Sequence, residues 1–281
     1  MNIKTARHLG MCAGVKRALD IVEHALQECK GETLYVYNEI VHNNLIINTL
    51  KQKNVVFVHS VDDIPDGTVT VFSAHGVASA VEAAAKAKNL RIFDATCLLV
   101  KKNHRAVEEA FIANKPVIFI GKKTHPECVG TIGRAADGYC FVVENKEDII
   151  NLPACNKDMI SVAQTTLSIS DTAEIQTLLS VKYSLIRHLD GICFATEERQ
   201  RAVAELAKEC DLILVAGSAA SSNSCRLVQI AEESGCRAYL VDSIEDAEKI
   251  DFAEVKCVGI TAGASTPQEQ IDALIEFVSL K

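Results

Sequence analysis

The chain has 281 residues, 48% of them hydrophobic and 23% charged, which describes a soluble globular protein with room for one large or two to three small domains. Its formal net charge of −8 argues against a general nucleic-acid binder, whose affinity rests on Lys and Arg neutralising phosphates, but allows a small anion held locally at helix starts. No apolar run reaches the ~18 residues of a membrane span. The opening "MNIKTARHLG" lacks an apolar signal core, so the expected location is cytoplasmic.

In chain order, "GVKRALDIVEHALQECK" reads as an amphipathic helix, preceded by Cys12 in the turn "GMCAG". The β-branched runs "TLYVY", "NVVFV", "TVTVF" and "LRIF" follow as strands, then "PVIFI", "YCFVV" and "MISVA", and finally "LILVA", "RAYLV" and "KCVGI". Helical segments such as "RQRAVAELAKEC" lie between most of them, giving the α/β pattern of parallel sheets covered by helices. Proline and glycine are sparse and no low-complexity linker interrupts the chain, so any subdomains must be tightly docked.

In open parallel sheets ligands bind beyond the carboxyl ends of the strands, so the polar loops there carry the functional information. Cys12, Cys97 in "DATCLLVKKNH" and Cys193 in "GICFATEERQ" fall at near-equal intervals, each leading into a helix. At similar distances beyond each cysteine come His42 in "EIVHNN", His125 in "KKTHPE" and Ser221 in "GSAASSN". Further on, His75 in "FSAHG", Thr165 in "AQTTLS" and Ser265 in "TAGAST" form a third set. Three divergent copies of one α/β unit give this pattern, with expected bounds 14–97, 98–193 and 194–281, and residues 1–13 packing against the third. Arranged as a trefoil about a pseudo-threefold axis with like ends inward, the copies would bring the three cysteines together.

Eleven cysteines is a high and odd count, and no C-x-x-C occurs, which argues against a disulfide framework, a zinc ribbon and a thioredoxin-type pair. Three thiolates from separate loops suit a metal centre, and spacing alone does not separate zinc from iron and sulfur. A four-iron, four-sulfur cluster held by three cysteines would keep one iron open to a substrate oxygen. The other eight, Cys29, Cys128, Cys140, Cys155, Cys210, Cys225, Cys236 and Cys257, fall in helices, strands or peripheral turns and read as small hydrophobes.

The loops around the trio are rich in anion-binding groups. His42, His75 and His125 can donate to phosphate oxygens, and Ser221, Ser222 and Asn223 place hydroxyls and an amide beside the open N–H groups of a helix start. These predict a diphosphate pocket. Glu127, two residues after His125, is a candidate general acid, although helix-start glutamates are also common for dipole reasons. His8, His24, His59, His104 and His188 fall outside the repeated positions.

The motifs "GMCAGVKRAL", "EIVHN", "FSAHGV", "DATC", "HPE-x-x-GT-x-G", "QTTLS", "IC-x-AT-x-x-RQ", "GS-x-x-SSN-x-x-RL" and "GITAGAST-P" run in order through essentially the whole chain. Together they closely resemble the IspH/LytB family of 4-hydroxy-3-methylbut-2-enyl diphosphate reductases. The resemblance implies a trefoil of three α/β units with a central [4Fe-4S] cluster held by Cys12, Cys97 and Cys193. It places His42, His75, His125, Ser221, Ser222, Asn223 and Ser265 around the diphosphate, Glu127 as the proton-relay acid and Thr165 near the substrate hydroxyl. The implied reaction is reductive dehydroxylation of an allylic diphosphate to isopentenyl and dimethylallyl diphosphates, the last step of the methylerythritol phosphate route. Electrons would come from a small carrier such as ferredoxin or flavodoxin, since no nucleotide-binding G-x-G-x-x-G is visible. Two positions depart from the family pattern: Leu98 stands after the second cysteine where proline is usual, and Gly191 stands before "IC" where threonine is usual. Two other readings use the same residues, a dehydratase whose cluster acts only as a Lewis acid and an iron–sulfur sensor of a diphosphate metabolite.

Overall fold

The computed structural model describes residues 1–281. β1 (Asn2–Thr5) opens the chain. β2 (Leu34–Tyr37), β3 (Val55–Val58), β4 (Val69–Phe72) and β5 (Arg91–Asp94) form one parallel sheet in the order β3-β2-β4-β5. β6 (Val117–Ile120), β7 (Cys140–Val143), β8 (Met159–Ala163) and β9 (Ile186–His188) form a second in the order β7-β6-β8-β9. β10 (Leu212–Ala216), β11 (Arg237–Val241) and β12 (Cys257–Ala262) join β1 in the third, β11-β10-β12-β1. All three sheets share one strand order. In the third sheet the chain's own N-terminus supplies the fourth strand, pairing from Asn2 opposite Cys257 to Thr5 opposite Ile260.

Ten helices connect these strands: α1 (Ala13–Cys29), α2 (Asn44–Gln52), α3 (Ser79–Ala87), α4 (Leu98–Ile112), α5 (Pro126–Ile132), α6 (Ile169–Lys182), α7 (Phe194–Ala207), α8 (Ser222–Glu233), α9 (Ile244–Glu248) and α10 (Gln268–Ser279). The inner strands β4, β6, β8 and β10 are buried at every residue, because helices cover both faces, and they read as apolar runs broken only by the buried Thr70 and Ser161. β1 "NIKT" and β9 "IRH" are unannounced by any such run. Both are edge strands with no fully buried residue, so nothing selects a hydrophobic pattern there.

The fold forms two compact units, one of residues 1–16, 41–49 and 193–281, the other of 17–40 and 50–192. In the first unit, alternate residues of β10 point to opposite faces. Leu212 and Leu214 join Ile260 and the α10 stripe Ile271, Leu274 and Val278, while Ile213 and Val215 meet Val203 and Leu206 of α7 and Leu227 of α8. In the second unit, α5 lies almost on the backbone of the turn after β4. A Cβ on Gly130 would sit 3.0 Å from the Gly76 carbonyl oxygen, and Ser79 N–H donates to the Gly133 carbonyl at 3.0 Å. Arg134 then ties α5 to α3 and α4 through Glu82 (2.6 Å) and Glu108 (3.3 Å).

The two departures from the family pattern have opposite structural meanings. Leu98 is the first residue of α4, 64% exposed, and Cys97 before it is extended (φ −57°, ψ 140°), the conformation that a following proline demands. The turn therefore keeps a proline-compatible shape without proline. Gly191 packs on the β8 backbone, where a Cβ would lie 2.6 Å from the Ala163 carbonyl oxygen and 2.7 Å from its nitrogen. Leu98→Pro is expected to shift unfolding free energy by no more than about 1 kcal/mol, whereas Gly191→Thr should lower it by about 1–3 kcal/mol through overpacking. Denaturant midpoints of the two variants measure both effects.

Candidate active site

Topology places the expected residues on equivalent loops. The first strands β2, β6 and β10 lead to His42, His125 and Ser221, and the third strands β4, β8 and β12 lead to His75, Thr165 and Ser265. The fourth strands β5, β9 and β1 lead to Cys97, Cys193 and Cys12, each the residue directly before a helix, α4, α7 or α1.

The first unit holds Cys12, Cys193, His42, Ser221, Ser222, Asn223 and Ser265. Cys12 N–H donates to the Ala264 carbonyl at 2.9 Å, so the first cysteine turn is fastened to the loop after β12. Ser265 Oγ donates to the His42 carbonyl at 3.0 Å, and Asn43 caps α2 by accepting from Ile46 N–H at 3.1 Å while its amide donates to Gln270 at 3.0 Å. Ser221 caps α8, its Oγ accepting from Ser224 N–H at 3.3 Å, and Ser222 is the half-buried first residue of that helix. Asn223 is 3% exposed, yet neither its Oδ1 nor its Nδ2 has a hydrogen-bond partner. A buried amide left so is costly, about 1–3 kcal/mol, and a polar ligand would remove that cost.

The second unit holds Cys97, His75, His125, Glu127 and Thr165. Cys97 N–H donates to the Ala74 carbonyl at 3.0 Å, linking its turn to that of His75. His125 caps α5: its Nδ1 accepts from Glu127 N–H at 3.1 Å, which in the neutral ring puts the proton on Nε2. Its ring stands perpendicular to that of His75, centroids 5.5 Å apart. Glu127 is 2% exposed and both carboxylate oxygens are engaged by Thr165, Oε1 by the backbone N–H and Oε2 by the hydroxyl, each at 2.8 Å. Burial pushes its carboxyl up from 4.5 to about 7, against the smaller opposing pull of the two Thr165 bonds. Near neutral pH the group is therefore divided between acid and carboxylate.

Three supporting residues stand beside these, of which Gln164 and Arg199 had no role assigned from the sequence and His104 was set outside the repeated positions. Gln164, fully buried, accepts from Lys122 N–H at 3.1 Å and donates to Thr166 Oγ1 at 3.0 Å, binding the loops after β6 and β8 together. His104, 4% exposed, fills the space against Gly76, where a Cβ would meet its Cε1 at 2.5 Å. Burial first, then Arg134, lowers its imidazole to about 3, so it is a neutral support beneath the His75 turn. Arg199 of α7 is 4% exposed, and a charged residue at a helical position gives no sequence signal of such burial.

The cysteines divide by environment. Burial pushes the thiols of Cys128 and Cys210 up to about 12 and that of Cys140 to about 11, and raises Cys29 and Cys236, so these stay protonated. Cys12, Cys97 and Cys193 are half-buried, each directly before the first residue of a helix. Their donor chemistry fits an iron–sulfur group.

The site is thus built on a repeated parallel α/β scaffold that sets three thiols directly before helices and buries one carboxyl titrating near neutrality. Residues 3–279 match the family described as LytB protein, and the chain belongs to that family. The 4-hydroxy-3-methylbut-2-enyl diphosphate reductase of Haemophilus influenzae is 46% identical over 280 residues, 98% of this chain and 89% of that protein. The enzyme of the same description from Actinobacillus succinogenes is 44% identical over 280 residues, with the same coverage of 98% and 89%. The solved structure of E-1-hydroxy-2-methyl-but-2-enyl-4-diphosphate reductase from Plasmodium falciparum matches with a TM-score of 0.95 at 34% identity, covering 99% of this chain and 88% of that one. A structure of (E)-4-hydroxy-3-methyl-but-2-enyl diphosphate reductase, described as the terminal enzyme of the non-mevalonate pathway, matches with a TM-score of 0.70 at 34% identity over 100% of both chains. Family membership implies an iron–sulfur enzyme. No helix is long and apolar enough to cross a membrane.

Because the folded carboxyl of Glu127 titrates above its unfolded value, its contribution to stability is full below about 4.5 and is lost as pH rises through about 7. Relative to wild type, Glu127→Gln is expected to gain about 3 kcal/mol between pH 4 and pH 8. Parallel urea titrations of the two proteins at each pH measure this, and a difference independent of pH would contradict the assignment.

Proposed function

We propose that the chain reductively removes the allylic hydroxyl of 4-hydroxy-3-methylbut-2-enyl diphosphate as water, using two electrons and two protons and releasing isopentenyl and dimethylallyl diphosphates. The observation that carries this reading is the buried carboxyl of Glu127, held by Thr165 and raised to about 7, in a chain of the LytB family. Cys12, Cys97 and Cys193 are the proposed ligands of a [4Fe-4S] cluster. When bound, that group supplies electrons one at a time and an open Lewis-acid iron.

The remaining chemistry belongs to this chain's side chains. The diphosphate is assigned to His42, His75, His125, Ser221, Ser222, Asn223 and Ser265; the unpartnered amide of Asn223 supports this assignment. Glu127 in its acid form holds a proton inside the site, and the Thr165 hydroxyl, 2.8 Å from Oε2, can pass it to the departing oxygen. Burial excludes bulk water from that exchange. The electron donor in this reading is a small protein such as ferredoxin or flavodoxin, and the location is cytoplasmic.

Anaerobically reconstituted protein is expected to be brown and to turn over the substrate with dithionite but not without it. A colourless, folded and inactive product would overturn the reading, and turnover without reductant would identify a dehydratase. Glu127→Gln should lower turnover by roughly 100-fold or more while keeping inhibition by inorganic pyrophosphate. Since the acid form is the active one, wild-type kcat/KM should fall as pH rises through about 7. Asn223→Ala should weaken pyrophosphate inhibition about tenfold, the loss of one hydrogen bond to a charged group.

A further inference from the structure

Arg199 is a buried cation whose only hydrogen bonds go to neutral groups. Its Nη2 donates to the Gly10 carbonyl at 2.7 Å and its Nη1 to the Ala195 carbonyl at 2.8 Å, while Nε, also buried, has no partner. Gly10 lies two residues before Cys12, and Ala195 is the second residue of α7 after Cys193, so one planar guanidinium ties the Cys12 turn to the first turn of the helix that follows Cys193. A charge this deep, 4% exposed, is strongly disfavoured unless an anion compensates it. The groups whose charge favours its ionised form are the Cys12 and Cys193 thiols, ahead of Glu198, against a larger opposing effect of burial.

We propose that Arg199 is a positioning residue that fixes the Cys12 and Cys193 turns and, through its buried positive charge beside them, sets the reduction potential of the iron–sulfur centre they hold. The inference rests on the proposed function, which supplies the centre. A fixed positive charge stabilises the more negative, reduced state more than the oxidised one, and it does so strongly where water cannot screen it. Lys in its place would keep the charge but lose the planar fork that reaches two carbonyls at once.

The test is a dye-mediated redox titration of the reconstituted holoprotein, followed by electron paramagnetic resonance, for wild type, Arg199→Gln, Arg199→Lys and the exposed-face control Arg201→Gln. Arg199→Gln should reduce the equilibrium constant for one-electron uptake at least tenfold, a shift of about 59 mV to more negative potential for a one-electron couple. Arg199→Lys should stay within about threefold of wild type in potential while losing iron faster on dilution, and Arg201→Gln should match wild type in both. A Gln potential equal to wild type, or a Lys potential displaced as far as that of Gln, would overturn the inference. If Arg199→Gln does not fold, Arg199→Met is read in the same way; failure of every variant, Lys included, would assign Arg199 a purely structural role and also overturn it. A wild-type protein that takes up no iron and sulfide would instead defeat the proposed function itself.

Discussion

Parallel pairing in a single strand order is the constraint from which the rest of this structure follows. In a parallel sheet every strand ends at the same edge, so whatever follows the first, third and fourth strands is delivered to that edge. The order second, first, third, fourth holds in all three sheets. It therefore gives Cys12, Cys97 and Cys193 equivalent places, each after a fourth strand and before a helix. The N-terminal strand shows how strict the requirement is. Cys12 reaches its position only because β1 closes the third sheet against β12, after which Cys12 N–H meets the Ala264 carbonyl.

On that frame Glu127, Arg199 and Asn223 are placed where water cannot serve them, at a cost in free energy. Glu127 is buried with a hydroxyl and an amide N–H as its only partners, so its carboxyl titrates near neutrality instead of near 4.5. A second ion at that position would have held it charged. Arg199 is buried among carbonyls and cysteine turns, and Asn223 is buried with both amide atoms unpartnered. A protein optimised for stability alone would have replaced all three with apolar residues, since each costs free energy in the absence of a ligand. The neutral buried His104 is the contrast: with its charge suppressed, it is packing beneath the His75 turn.

The inner strands were readable because burial on both faces favours apolar residues along their whole length, as in "LILVA" and "VIFI". The edge strands "NIKT" and "IRH" were not, because pairing on one side is satisfied by backbone alone and leaves side chains free to be polar. The equivalence of the cysteine, histidine and serine loops could be read from spacing, since three units of similar length repeat similar connections. The depth of Arg199 could not be read, as Arg is compatible with an exposed helix face and only the docking of α7 against the Gly10 turn buries it. Gly191 likewise showed in the sequence only as a departure from the usual threonine, and the structure makes it a point of backbone contact with Ala163.

The sequence by itself determined the α/β class, the threefold repetition and the identities of the cysteines, histidines and Glu127, because periodicity and residue chemistry are local properties of a chain. Only the tertiary structure decided how N-terminal residues complete the third sheet and which polar side chains are buried. Glu127 at a helix start reads equally as a dipole partner or an acid from the sequence. Desolvation, against the two Thr165 bonds contributed by a residue far away in sequence, raises its carboxyl to about 7, since a pKa is a property of surroundings that no stretch of sequence contains.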